Sequence, residues 1–465
     1  MNKQFFKSFI GDKSFYRRVF TLMIPIMIQN GITNFVNMLD NVMIGRIGNA
    51  EMTGVAIANQ LIFIFNLAIF GAISGPSIFG AQFFGKGDHK GHMHTFRFKL
   101  LLCTLLSILV ISIFYFFGTN LSSLYLTGEG NPADIAASLG YARKYMLIMF
   151  VGLVPYAIAQ CYAGTLRETG QATIPMISGL SAVLVNLCLN YILIYGKFGA
   201  PALGVKGAAI ATVISRFVEL LIVTIWTHTH TEKAHFIVGA YRSIYIPKLL
   251  ITQISVKGLP LLINETMFAL GTAMTNQCYS TMGYDVVSAN NICQTFYNVF
   301  GVAFMAVGAS IAIILGQLLG ADRLQEAKES SRKLIAFSVF ISILVGSIFF
   351  ICATFIPSFY NVSDAVRHIA KYLMIICAVT MPMDALFHSC YFTLRSGGKI
   401  FITLIFDSGF IWFVTLPIAF ILSRYTPLSV MYVYGICQAV NIIKCIFGSV
   451  LVNKGVWLKN IVENA

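Results

Sequence analysis

The chain has 465 residues, of which 57% are hydrophobic and 11% are charged, and its mean hydropathy is +0.78. Soluble globular proteins carry about 25% charged residues, so this composition excludes a soluble enzyme, a disordered chain and a disulfide scaffold. The net charge is +14. Most of the Lys and Arg residues lie in short segments between apolar runs, which is typical of a membrane-topology signal and not of nucleic-acid binding.

Apolar runs of about 20 residues, the length that a helix needs to cross the hydrocarbon layer, predict twelve transmembrane helices. In chain order they lie near 18–42, 55–83, 98–119, 140–162, 172–195, 204–227, 257–282, 288–318, 333–356, 366–393, 400–423 and 430–451. With the N-terminus inside, most Lys and Arg residues fall in inner segments. Lys444 is counted among these, and Arg216 is taken as the one basic residue within a span. This asymmetry predicts a multi-pass protein of the cell membrane with both termini in the cytoplasm.

The two halves of the chain resemble each other. Identical residues recur 235 positions apart along the first two predicted helices of each half: Pro25 and Pro260, Gln82 and Gln317, Gly85 and Gly320. An offset of 228 relates Thr165-Leu166-Arg167 to Thr393-Leu394-Arg395. We therefore expect residues 1–235 and 236–465 to form two pseudo-symmetric six-helix bundles around a central cavity. Six helices per half orient both halves alike, a geometry that permits alternating access.

The sequence resembles those of the multidrug and toxic compound extrusion (MATE) family. The matching segments are DNVMIGRIGNAEMTGVAIANQ, GAQFFGKGD, TLRETGQATIP and GAPALGVKGAAIATVIS in the first half, and LPLLINE, GQLLGAD and TLRSGGK in the second. The resemblance covers about residues 15–455. It implies a secondary antiporter that exports organic, often cationic and amphipathic compounds in exchange for Na⁺ or H⁺, with no other cofactor. We expect a monomer whose partners are small organic molecules and the lipid bilayer, with no nucleic acid.

Acids inside apolar spans are costly to bury and are candidates for ion or substrate binding. In the first half Asp40 is such an acid, and Asn186 and Asn190 share one face of the fifth helix because they are four residues apart. With Thr212 they offer a set of oxygen ligands that suits a small alkali cation, or they hydrogen-bond a protonatable Asp40. In the MATE family the residues that match these four are proposed as the cation site of the N-terminal lobe. Some members carry an acid at the position of Asn190.

The second half places its acids at other positions. Sodium-coupled members of the family carry acids that resemble Glu265, Asp384 and Asp407, so we expect a cation-coupling site in the C-terminal lobe that acts by binding sodium or by protonation. His388 lies one turn after Asp384 and is a candidate for a proton relay. Beyond a possible Na⁺, the sequence predicts no metal site.

The substrate cavity and the helix kinks are further predictions. Gln60 and Gln294 are 234 residues apart and lie near the outer ends of helices two and eight. With Asp40, we expect them to line the cavity. Pro25 and Pro260 lie inside spans and predict kinks, which bilayers tolerate. A bend at Pro25 would couple the state of Asp40 to the cavity.

Three other functions fit the sequence less well. A lipid-linked oligosaccharide flippase of the same superfamily carries an anionic substrate, which calls for basic residues in the cavity, whereas acids are the commoner ionisable residues in the predicted spans. An intramembrane enzyme is disfavoured because the chain has no HExxH or GxSxG motif. A passive channel is disfavoured because the acids are too asymmetric to form a selectivity ring.

Overall fold

The computed structural model describes residues 9–45, 49–123, 132–360 and 362–463, and for 34–42, 45, 49, 132–134 and 284 it describes the backbone alone. In these residues the chain forms twelve long helices and no strand, which confirms the all-α class. They are α1 (Lys13–Gly45), α2 (Asn49–Lys86), α3 (His89–Ser123), α4 (Pro132–Glu168), α5 (Thr173–Tyr195), α6 (Val205–Thr229), α7 (Lys248–Ser280), α8 (Tyr284–Gly320), α9 (Leu324–Cys352), α10 (Asp364–Ser396), α11 (Ile400–Tyr425) and α12 (Val430–Asn453).

The helices extend beyond the apolar runs that predict them. The predicted starts at 98, 257 and 333 are each nine residues late, because α3, α7 and α9 begin at 89, 248 and 324. Backbone hydrogen bonding continues through polar sequence once a helix has begun, so the edge of an apolar run underestimates its length. The start of α1 is set locally by Asp12, which accepts a hydrogen bond from the backbone N–H of Phe15 at 2.9 Å. This bond holds the pKa of Asp12 below its usual range.

Ten of the described helices are long and apolar enough to cross a membrane. Helices α1 and α7, which occupy corresponding positions in the two halves, are not among them. The middle of α7 carries Asn264, Glu265 and Thr266 in succession, and polar residues at the centre of a span are candidates for a functional role.

The described chain divides into two compact units. The C-terminal unit comprises 1–27, 81–88 and 255–465, and the N-terminal unit comprises 28–80 and 89–254. Each has its own apolar core. Phe65 and Phe96 are fully buried in the N-terminal unit, and Leu373 and Met381 are fully buried in the C-terminal unit. Helix α1 passes from one unit to the other after Met27, two residues beyond Pro25.

Within the C-terminal unit, the repeat-related ends of α2 and α8 cross in close contact. A Cβ atom placed on Gly85 would overlap the carbonyl group of Gln317, and one placed on Gly320 would overlap the carbonyl group of Gln82. The side chain of Gln82 completes this crossing, because it donates to the Ser396 carbonyl at 2.9 Å and accepts from the backbone N–H of Ile461 at 2.8 Å. Both contacts lie within the unit. The close approach of the two helices therefore explains why glycine stands at both of these repeat-related positions.

Replacing Gly320 by Ala is expected to lower the free energy of unfolding by about 2–3 kcal/mol, because the new methyl group meets backbone that cannot rotate away. Thermal unfolding of the purified protein in detergent measures this loss. Gly118→Ala is the matched control, since no atom beyond the adjacent residues and backbone of its own helix lies within 4 Å of a Cβ atom at that glycine. Equal melting temperatures for the two variants would contradict the close crossing.

The segment between the two halves of the sequence, residues 230–247, is docked on the N-terminal unit. Arg97 of α3 donates from its three guanidinium nitrogens to the carbonyls of Ala240, Tyr245 and Gly239 at 2.7, 2.9 and 2.7 Å. The short 3₁₀ helix His235–Ile237 carries Phe236, which is fully buried and packs on the ring of Phe96 at 4.9 Å. This segment is therefore an ordered part of the unit.

Candidate functional site

The predicted acid Asp407 lies in an irregular stretch of α11. Residues Ile405–Gly409 and Ile411–Thr415 are π-helical, and such wide turns are frequent at functional sites. Ser408 in this stretch donates to the backbone carbonyl and the side-chain oxygen of Asn264 at 2.7 and 2.6 Å. The π-helical stretch thereby fixes α11 against the polar centre of α7.

Asn264 links two of the predicted acids. Its amide nitrogen donates to Asp407 Oδ2 at 3.1 Å and to the hydroxyl oxygen of Tyr391 at 3.3 Å. Tyr391 in turn donates to Glu265 Oε1 at 3.5 Å. Asn264 is fully buried, so each of its polar atoms needs a partner. The result is a hydrogen-bonded chain from Asp407 through Asn264 and Tyr391 to Glu265. We call these four residues, together with the basic residues Arg395 and Lys444 beside them, the acid cluster.

Two basic side chains accompany the acid cluster, and sequence analysis assigned a role to neither. Arg395 Nη1 lies 3.8 Å from Glu265 Oε1. Lys444 Nζ lies 4.0 Å from Asp407 Oδ1. The prediction that Lys444 belongs to an inner segment is wrong, because it lies within α12 and is 4% exposed. Arg216 is therefore not the one basic residue within the spans, and the scarcity of buried bases no longer argues against the flippase alternative.

Asp384 and His388 share one face of α10 but have different surroundings. Asp384 is 6% exposed and accepts a hydrogen bond from the hydroxyl of Tyr297 at 2.8 Å. No basic group of the described chain lies within 4.0 Å of it. The ring of His388 packs on those of Phe304 and Phe387 at 5.4 and 4.4 Å. The role of His388 as a proton relay stays a prediction.

In the N-terminal unit, three of the four residues predicted for the first cation site come together. Asn190 donates to Asn186 Oδ1 at 3.1 Å, and Asn186 donates to Thr212 Oγ1 at 3.2 Å. Both asparagines are buried. The fourth residue, Asp40, lies on α1, but its side chain is outside the described residues. Met43, three residues later, accepts a hydrogen bond from the hydroxyl of Tyr195 at 2.9 Å, so this end of α1 contacts α5.

The remaining predicted residues are placed separately. Gln60 of α2 is exposed and belongs to the N-terminal unit, and Gln294 of α8 is half-buried and belongs to the C-terminal unit. Their part in a substrate cavity stays a prediction. Pro25 and Pro260 lie inside α1 and α7, and the functional role of a kink at either position also stays a prediction.

Sequence analysis missed a second buried ionic group, which lies in the N-terminal unit. Glu168 of α4 forms an ion pair with Lys99 of α3, and its other oxygen lies 3.2 Å from His92 Nε2. All three side chains are at most 2% exposed. A Cβ atom at Gly80 would overlap the Glu168 carboxylate, so this glycine makes room for it. We call Glu168, Lys99 and His92 the buried triad.

The repeat offers the signal that would have revealed the buried triad. At the offsets of 228 and 235, the second half has Ser396, Ala327 and Leu334 where the first half has Glu168, His92 and Lys99. The predicted spans 98–119 and 140–162 leave out His92 and Glu168, so these two residues were taken as loop sequence. Among the residues that the structure describes, no group of three or more His, Cys, Asp or Glu side chains is arranged to hold a metal ion.

The fold and the buried ionisable residues are those of a polytopic membrane transporter. The chain matches the MatE family model over residues 25–192 and 260–421. It therefore belongs to the MATE family, which comprises multidrug efflux transporters and not enzymes.

Curated relatives and a solved structure agree with this assignment. The chain is 23% identical over 430 residues to the probable multidrug resistance protein YoeA of Bacillus subtilis, covering 90% of each chain. It is 25% identical over 422 residues to the probable multidrug resistance protein NorM of Thermotoga maritima, covering 89% of this chain and 87% of NorM. An outward-facing MATE transporter of the MOP superfamily superimposes with a TM-score of 0.85 at 18% identity, over 97% of this chain and 98% of the other.

Proposed function

We propose that this protein exports organic, often cationic compounds across the cell membrane in exchange for Na⁺ or H⁺, and that the acid cluster of the C-terminal unit is a coupling site. The observation that carries the proposal is the hydrogen-bonded chain from Asp407 through Asn264 and Tyr391 to Glu265. Carboxylates inside a membrane domain are costly to bury and are candidates for ion or substrate binding, and a buried ion pair is weak evidence for a stabilising role. Names of the curated relatives support the class of cargo.

Glu265 is the acid of this cluster that can exchange most readily. Its side chain is 18% exposed, against 10% for Asp407. Its contacts to Arg395 and Tyr391 are long, at 3.8 and 3.5 Å. A loosely held, partly accessible carboxylate can give up these partners to a proton or a sodium ion. Because a cation there and a cationic cargo compete for the same negative charge, loading one favours release of the other.

Gradient-driven efflux of a fluorescent organic cation from proteoliposomes tests the proposal. Wild-type protein is expected to move the dye under one of two imposed gradients, a pH gradient or a sodium gradient. Glu265→Gln is expected to reduce that rate about tenfold, which corresponds to a lost coupling free energy of ~1.4 kcal/mol. The same assay with each gradient alone identifies the coupling ion.

The matched control is Glu329→Gln, which makes the same chemical change at an exposed position of α9. It is expected to transport at the wild-type rate. Wild-type protein that moves no organic cation under either gradient would contradict the proposal. In that event a lipid-linked oligosaccharide would be the next substrate to assay in the same vesicles.

A further inference from the structure

Lys444 has the surroundings of a bound cation. Its ammonium group is 4.0 Å from Asp407 Oδ1 and lies over the rings of Phe387 and Phe410, at 4.4 and 5.1 Å from their centroids. A carboxylate and two aromatic faces are what a protein offers to a desolvated positive charge. The residue is 4% exposed, so these groups, and not water, balance its charge.

The oxygen that faces Lys444 is the one that an alkali cation would need. Asp407 Oδ2 is engaged by Asn264 at 3.1 Å. Asp407 Oδ1 is buried and accepts no hydrogen bond from any described residue. A sodium ion bound to this oxygen would stand beside the ammonium group, and two positive charges at such a distance in a poorly solvated site repel each other strongly.

An interruption in α12 and a hydrogen bond to α10 place Lys444 beside Asp407. Helix α12 is interrupted at Val440 and Asn441, between its segments Val430–Ala439 and Ile442–Asn453. Cys445, the next residue after Lys444, donates to the carbonyl of Met383 at 3.3 Å. Since Met383 precedes Asp384, the lysine enters the cluster beside α10 as well as α11.

A basic residue occupies the corresponding position of the other half. Lys444 stands 228 residues after Arg216, the offset that also relates the two Thr-Leu-Arg segments. Arg216 lies 3.7 Å from Glu219 and over the ring of Tyr156 at 4.2 Å. In both units, therefore, the last helix of the repeat carries a base that pairs with an acid and packs on an aromatic ring. The base of the C-terminal unit is the more deeply buried of the two.

We propose that Lys444 is the built-in cation of the acid cluster: its ammonium group takes the place that Na⁺ would occupy beside Asp407, so that Asp407 binds no sodium. The inference rests on the proposed function for the role of the cluster in coupling. If the transporter uses sodium, the ion must then bind at a site that does not include Asp407. This arrangement also gives a function to a lysine that lies in the middle of an apolar helix.

Removing the ammonium group should open a sodium site. Binding of radioactive sodium is measured on the purified protein in lipid nanodiscs, with choline chloride to hold the ionic strength constant. Lys444→Met keeps the length of the side chain and removes its charge, and it is expected to bind sodium about tenfold more tightly than the wild type. The gain should disappear in Lys444→Met/Asp407→Asn, and Lys444→Arg should behave as the wild type.

A comparison that does not depend on folding of the Met variant tests the same point. Wild type and Asp407→Asn are expected to bind sodium equally, because Asp407 is already neutralised by Lys444. Sodium binding that is present in the wild type and lost in Asp407→Asn would overturn the inference, as would a folded Lys444→Met variant with no added sodium binding. Since neither measurement requires transport, a failure of efflux would count against the proposed function alone.

Discussion

Replacing Asp384 by Asn is expected to reduce gradient-driven efflux about a hundredfold. This factor lies in the upper part of the roughly 5–150-fold range over which coupled sites typically affect each other. Glu265 and Asp407 each have a basic residue within 4.0 Å, namely Arg395 and Lys444. Asp384 has a neutral partner, Tyr297, whose hydroxyl donates at 2.8 Å. Together, the three carboxylates and the two bases leave one net negative charge in this part of the C-terminal unit, which an exchangeable cation can balance. An amide at position 384 removes that charge and accepts the same hydrogen bond, so the protein should fold and fail to couple.

The control for this prediction is Asp364→Asn on the same helix. Asp364 lies in the first turn of α10 with its side chain 97% exposed and pairs with Arg367 at 3.0 Å. Exposed pairs of this kind contribute little to stability, so this variant should retain the wild-type rate. Efflux by Asp384→Asn at more than half the wild-type rate, at equal protein per vesicle, would show that the unbalanced charge lies elsewhere.

Breaking the buried triad is expected to cost the most stability. Lys99 is fully buried, donates to Thr165 at 3.1 Å and forms an ion pair with Glu168. Lys99→Met leaves a carboxylate at 2% exposure without its principal countercharge, and Glu168→Gln leaves an ammonium group in the same position. Each single change should lower the free energy of unfolding by about 3–5 kcal/mol. Thermal or denaturant unfolding of the purified variants measures the loss.

The double variant makes this prediction specific. In Lys99→Met/Glu168→Gln no uncompensated charge is buried, and a neutral amide fits the space beside Gly80 because it has the shape of the carboxylate. Stability should therefore return to within about 1–2 kcal/mol of the wild type, which would be a strongly non-additive cycle. Additive losses in the double variant would indicate that the two side chains contribute by packing and not by their charges.

Most of the fold could be predicted from the sequence because lipid imposes a simple rule. A span must be apolar for about 20 residues, and each of the twelve predicted spans overlaps one helix of the described chain. The helix ends escaped prediction for a physical reason. Residues His89–Arg97 and Leu324–Arg332 are polar, and once outside the hydrocarbon layer a helix no longer needs apolar sequence to continue.

The acids of the candidate site could be predicted one by one, since a carboxylate in an apolar run is conspicuous. Their partners could not. In the sequence, Asn264 is simply the residue before Glu265. Its hydrogen bonds to Ser408 and Asp407 form because the π-helical stretch of α11 places these two residues against it. Lys444 lies inside the predicted span 430–451 but was counted with the inner segments, and its burial beside Asp407 is seen only in the structure. Such groupings depend on irregular backbone, which hydropathy does not record.

The docked segment 230–247 has a consequence for anyone who wishes to express this transporter as two fragments. A break placed in the middle of the sequence, within that segment, would cut through backbone that Arg97 holds by three hydrogen bonds. The first fragment would lose carbonyl partners for the buried guanidinium group of Arg97. The second fragment would begin with residues that pack on the N-terminal unit. A cut between 247 and 248 leaves the docked segment whole in the first fragment and leaves α7, which begins at Lys248, whole in the second, so fragments divided there should reassemble with the better yield.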